Sequence, residues 1–203
     1  MKDFHIPLFP DKQYHILSRA IGDEKIFRED RNYSFFLSRY QKYISPVADT
    51  YSYCLLPNHF HFLIRIKDEQ TINALQQTKK KIQTPRLSAL VMQQFSNLLN
   101  SYTKSFNNTY ARKGSLFIDY LRRVEIETDK QFGATIFYIH KNPVHHGSCE
   151  KMEDWKWSSY NTILSLKPTK LLRQETLDWF GGIKGFTDYH GQPVYLKEAA
   201  GIE

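Results

Sequence analysis

The segment HFHFLIRI, residues 59–66, alternates without a break: His59, His61, Leu63 and Arg65 share one parity, and Phe60, Phe62, Ile64 and Ile66 the other. Successive side chains of a β-strand point to opposite faces, so the pattern specifies a strand with one wholly apolar face. On a helix both sets would scatter around the axis. The chain must therefore supply a sheet, and apolar elements to cover the phenylalanine face. Pro57 and Asn58, just before the strand, are tight-turn residues, and residues 48–56 read as its antiparallel partner.

The other elements follow from period and caps. Residues 13–21 read as a first strand closed by Gly22 and Asp23. With Asp30 as N-cap, Tyr33, Phe36, Leu37, Tyr40 and Ile44 fall at helical spacing until Ser45 and Pro46 end the run. Residues 67–86 are polar and basic and read as a loop. Leu87, Leu90, Val91, Phe95, Leu98, Tyr102 and Phe106 then trace one face of a long helix, and residues 116–126 a fourth strand. Thr128 with Gln131 forms a capping box that opens a helix running to Asn142, where Pro143 is expected to stop it. The order βαββαβα predicts an α+β fold: a ferredoxin-like split βαβ sheet with helices on one face and a C-terminal helical extension. A last helix is expected over residues 154–166, with an irregular tail after it. One domain over 1–166 with a tail at 167–203 suits a chain of 203 residues.

Composition narrows the setting. Residues 1–10 mix Lys2, Asp3 and His5 with isolated apolar residues and do not read as a secretory signal; no apolar run approaches membrane-spanning length. Cys54 and Cys149 form no paired framework. A cytoplasmic protein without a membrane partner is expected. The net charge of +7 is concentrated: Lys79, Lys80, Lys81, Arg86, Lys104, Arg112, Lys113, Arg122 and Arg123 stand against one acid, Asp119, between Asn73 and Arg123. Charge gathered in this way suits a polyanion track, although a solvated basic face has the same composition.

Two short motifs carry chemistry. His59 and His61 project from one face of their strand, where both imidazoles can reach one divalent ion, but two ligands make a weak site and half-buried strand histidines look the same. In FYIHKNP, Tyr138 and Asn142 stand four apart and share a helix face, so an Asn142 amide oxygen could complete a mixed N/O site with Tyr138 beside it. A free phenol has a pKa near about 10, and a nearby cation favours the phenolate. A core aromatic would have the same spacing.

The string LPNHFHFLI at 56–64, followed by YIHKNPV at 138–144 and WKWSSY at 155–160, resembles the single-tyrosine HUH transposases, and within them the REP-associated tyrosine transposases. The resemblance spans about residues 13–160. It implies a Mg²⁺ or Mn²⁺ site of His59, His61 and Asn142, with Tyr138 as nucleophile that cleaves single-stranded DNA near hairpins and leaves a 5′-phosphotyrosine link. It also implies that a homodimer could supply a second tyrosine. Lys79, Lys80, Lys81, Arg112, Lys113, Arg122 and Arg123 are the expected DNA-binding cations, and Tyr102, Tyr110, Phe117 and Tyr120 the candidate stacking faces. The chain departs from the family after its Gly-Ser-Leu-Phe stretch, where Ile118, Asp119 and Tyr120 replace a Gln and basic residues. His145, His146 and Cys149 suggest zinc, but adjacent histidines after a proline lack a common direction and no fourth ligand is evident. A domesticated hairpin-binding protein without chemistry, and a metal-dependent phosphodiesterase using water, stay open at this stage.

Overall fold

The computed structural model describes residues 6–75, 84–118 and 121–192. Lys79, Lys80, Lys81 and Tyr120 lie outside the described residues. Strands β1 (Gln13–Arg19), β2 (Ala48–Leu56), β3 (His59–Ile66) and β4 (Arg122–Ile126) form one antiparallel sheet in the order β2-β3-β1-β4. This is the ferredoxin-like arrangement that the element order predicts.

Helices α1 (Asp30–Tyr43) and α3 (Thr84–Thr109) cover the face that carries Phe60, Phe62, Ile64 and Ile66. Aromatic rings dominate this core: Tyr40 stacks on Phe62 at 4.1 Å between centroids, and Phe36 packs on Phe60 at 5.1 Å. Tyr102 and Phe117, two of the candidate base-stacking residues, are buried in it. Tyr110 lies under the Arg28 guanidinium and donates to Asn32. The opposite face, with His59, His61 and Leu63, is covered by α4 (Asp129–His145).

Several boundaries differ from the sequence expectations for local reasons. The N-cap of α1 is Glu29 rather than Asp30, because the Asn32 side chain accepts from the Arg28 and Glu29 backbone N–H groups. Within the expected loop at 67–86, Asp68 accepts from Thr71 N–H and opens a short helix, α2 (Glu69–Ala74). The fourth strand starts at Arg122; upstream, Phe117 makes only an isolated bridge to Ala20. Pro143 does not stop α4. It falls in the last turn, where its missing N–H removes one bond, while His146 N–H reaches Asn142 O and Ser148 N–H reaches Pro143 O. The capping box forms as expected, with Gln131 N–H donating to Thr128 Oγ1 at 3.2 Å.

Residues 154–166 are not one helix either. A 3-10 turn (Met152–Asp154) and α5 (Tyr160–Leu164) flank WKWSS, which turns at Lys156 and Trp157 and bridges Cys54 through Ser158 at the outer edge of β2. Leu55 N–H donates to Trp157 O, Ser159 N–H to Tyr53 O, and the Trp155 indole to Leu55 O, so the exposed edge is capped by chain. In place of an irregular tail come α6 (Arg173–Trp179) and α7 (Gly182–His190). Both press on α4. A Cβ on Gly133 would lie 2.3 Å from the Trp179 ring, so this close approach requires glycine. His190 and His140 hydrogen-bond at 2.9 Å, and His140 reaches Ser159 Oγ at 2.8 Å.

This buried histidine pair makes stability pH-dependent. Burial lowers His190 to about 4 and holds His140 well below the usual histidine range. The unfolded chain protonates both near pH 6.5, whereas the fold resists, so stability is full above that pH and lost as pH falls toward 4. His190 alone is expected to remove about 2 kcal/mol between pH 6.5 and 5. Urea midpoints should fall from pH 7 to pH 5, and a midpoint that holds or rises would contradict this.

Candidate metal and tyrosine centre

The two-residue Pro57-Asn58 turn delivers His59 to the first position of β3, and strand alternation then sets His61 on the same face. The sheet register aligns their neighbours. Leu56 and Cys54 on β2 lie opposite His59 and His61; on β1, Arg19 lies opposite His59 and Leu17 opposite His61. His15, two residues before Leu17, is therefore diagonal to His61 on the same face.

Helix α4 lies across these side chains and brings Tyr138 and Asn142 down from one of its faces. Asn142 Oδ1 sits 3.0 Å from His59 Nε2, and the Tyr138 ring meets His61 edge-on at 5.5 Å between centroids. The four residues named from separated motifs thus converge on one place. Tyr138 and Asn142 are 4% and 1% exposed, so α4 holds them against the sheet rather than toward solvent.

Hydrogen bonding defines what the site can bind. His59 Nδ1 lies 2.6 Å from Asn58 Oδ1. A neutral imidazole has a single N–H. If Asn58 accepts it at Nδ1, then His59 Nε2 and the Asn142 oxygen turn lone pairs toward the same point, which suits a cation. His61 Nδ1 lies 3.0 Å from His15 Nε2, while its buried Nε2 has no hydrogen-bond partner among the described residues. Burial first, and the neighbouring imidazoles after it, hold His61 well below the usual histidine range. It is neutral at ordinary pH, the form in which histidine ligates metals. Among the described residues no group of three His, Cys, Asp or Glu side chains is arranged to hold a metal ion, so a cation held here by three side chains would need a donor of another type. The Asn142 amide is that type, and these residues fit a hard divalent cation with open positions for substrate oxygens.

A comparison with curated proteins finds a Haemophilus influenzae protein that carries the name of a REP-associated tyrosine transposase, 29% identical over 113 residues. The match covers 56% of this chain and 59% of that relative. Among solved structures, that of a REP-associated tyrosine transposase bound to a REP hairpin matches with a TM-score of 0.58 at 15% identity, covering 84% of this chain and 90% of the other. This chain resembles the REP-associated tyrosine transposases. The curated relative shares the likeness that the motifs carry, the solved structure shares the fold, and no protein-family model matches the chain.

The cations expected from the sequence to contact DNA are not equivalent in this fold. Arg122 shares the histidine face, opposite Leu17, whereas Arg123 points through the sheet to the other side, where its guanidinium meets Met92 Sδ. Arg112 is engaged within the fold: it pairs with Glu24 at 2.9 Å and donates to the backbone carbonyls of Lys113, Gly114 and Ser115. Lys113 is exposed. Two residues escaped sequence reasoning. Arg19 is an exposed cation directly across from His59, and His15 is the partner of His61; both needed the β1–β3 register to be seen.

Proposed function

We propose that this protein cleaves and rejoins single-stranded or hairpin DNA through a covalent bond to Tyr138. The observation that carries this reading is the convergence of Tyr138, His59, His61 and Asn142 beneath α4. DNA as substrate is supported by the basic segment around Arg122 and by the hairpin bound in the similar solved structure.

The chemistry follows from what these side chains can supply. The Tyr138 oxygen attacks a backbone phosphorus; the new O–P bond forms as the bond to the 3′-oxygen of the preceding nucleotide breaks, leaving a 5′-phosphotyrosine and, after protonation, a free 3′-hydroxyl. Reversal by a 3′-hydroxyl of another strand rejoins DNA and releases Tyr138, and because one phosphoester replaces another, no nucleotide triphosphate is required. His59, His61 and Asn142 would hold Mg²⁺ or Mn²⁺, which supplies Lewis-acid polarisation of the phosphate and stabilises the departing oxygen. Arg19 and Arg122, on the same sheet face, would neutralise flanking phosphates.

The test is to incubate the protein with single-stranded hairpin DNA and Mn²⁺, denature it, and look for a DNA-linked species. A species that forms with Mn²⁺ and not with EDTA is expected. Salt-sensitive hairpin binding with no such species would leave a DNA-binding protein without chemistry.

A further inference from the structure

We infer that His15, by occupying the Nδ1 side of His61 as a hydrogen-bond acceptor, leaves Nε2 as the nitrogen presented to the divalent ion, an inference that rests on the metal-binding reading above. The geometry is specific. The two rings stack at 5.1 Å between centroids with an 18° interplanar angle, and His15 Nε2 lies 3.0 Å from His61 Nδ1. His15 is wholly buried at the centre of the sheet, held in place by its pairing with Leu63 and Val124. Its ring meets Tyr138 edge-on at 6.0 Å between centroids, and its own Nδ1 has no partner among the described residues. A buried polar ring in the middle strand of a sheet is costly to keep without a use.

One hydrogen bond joins the rings, and it can run in only two directions. If His15 donates from Nε2, His61 must hold its proton on Nε2, burying an N–H where a ligand lone pair is needed. If His61 donates from Nδ1, its Nε2 lone pair is free for the ion, and His15 acts as acceptor. A divalent cation on the Nε2 side selects the second direction. His15 is thus a positioning residue of the kind that metal-bound histidines commonly have, with an imidazole in place of the usual carboxylate or carbonyl. On the opposite side of the pair, Asn58 Oδ1 is placed to do the same for His59 Nδ1 at 2.6 Å.

The test is Mn²⁺ affinity, measured by calorimetry on the full chain without DNA, for the wild type, His15→Leu, His15→Gln and His61→Ala. His15→Leu is expected to weaken binding about 10–100-fold, and His15→Gln, whose amide oxygen can accept where Nε2 does, to recover most of it. If His15→Leu fails to fold, His15→Phe keeps a ring against His61 without an acceptor and takes its place. Unchanged affinity in His15→Leu beside a loss in His61→Ala overturns this inference alone, as does equal weakening in His15→Leu and His15→Gln. A wild type that binds no Mn²⁺ overturns the metal-site reading and this inference with it.

Discussion

Tyr138→Phe is expected to abolish the covalent DNA species and to lower strand cleavage by at least about 10⁴-fold, the scale on which loss of a covalent nucleophile acts. The substitution removes one oxygen and keeps the ring that packs edge-on against His61 and His15. Because volume is conserved in a buried position, the stability change should stay below about 1.5 kcal/mol. Hairpin affinity should be retained, since the cations proposed to neutralise phosphate, Arg19 and Arg122, lie on the sheet. Gel-based cleavage with end-labelled hairpin DNA, beside a binding measurement on the same preparation, separates the two effects. Cleavage that survives in Tyr138→Phe would transfer the nucleophile's role to water.

His61→Ala is the second large effect. It removes a buried candidate ligand and leaves His15 Nε2 facing a void. Loss of a metal's contribution to charge stabilisation, several kcal/mol, corresponds to a fall of about 10³-fold in cleavage. Added Mn²⁺ at high concentration should recover part of it if affinity is what was lost. Cleavage at the wild-type rate in His61→Ala would remove the metal from the account. A protein sensitive to His61→Ala yet indifferent to Tyr138→Phe would be a metal-dependent phosphodiesterase. The paired measurement therefore distinguishes the two chemistries.

Elements governed by local rules were legible in the sequence. The alternation of residues 59–66 is a property of strand geometry, and it sets Phe60, Phe62, Ile64 and Ile66 on the α1/α3 side and His59, His61 and Leu63 on the other. The Thr128–Gln131 capping box is likewise a short-range device. Features that depend on distant partners were not legible. Pro143 looks like a stop signal, yet in a last turn its missing N–H costs little and the C-terminal hydrogen bonds of Asn142 and Pro143 carry the helix on to His145. WKWSS has helical-looking neighbours, but its backbone is committed to the edge of β2. Helices α6 and α7 draw their order from packing on α4 through Trp179 and His190, contacts that no local pattern announces.

The site divides in the same way. His59 and His61 stand together because alternation alone places them so. Tyr138 and Asn142 share a helix face by spacing, but that this face rests on β3 is a tertiary fact. In QYHIL, His15 is one more polar residue interleaved among apolar ones, and only the pairing of His15 with Leu63 reveals that it adjoins His61. Charge in sequence does not specify a face: Arg122 and Arg123 are neighbours in the chain and lie on opposite sides of the sheet.

The central claim is that Tyr138 itself becomes bonded to DNA. Protein trapped with a short hairpin substrate and Mn²⁺ can be digested with nuclease and protease and its peptides read by tandem mass spectrometry. The account predicts a nucleotide joined through its 5′-phosphate to Tyr138, in the peptide that also contains His140. A nucleotide on any other residue, or cleaved DNA with every tyrosine unmodified, would contradict it.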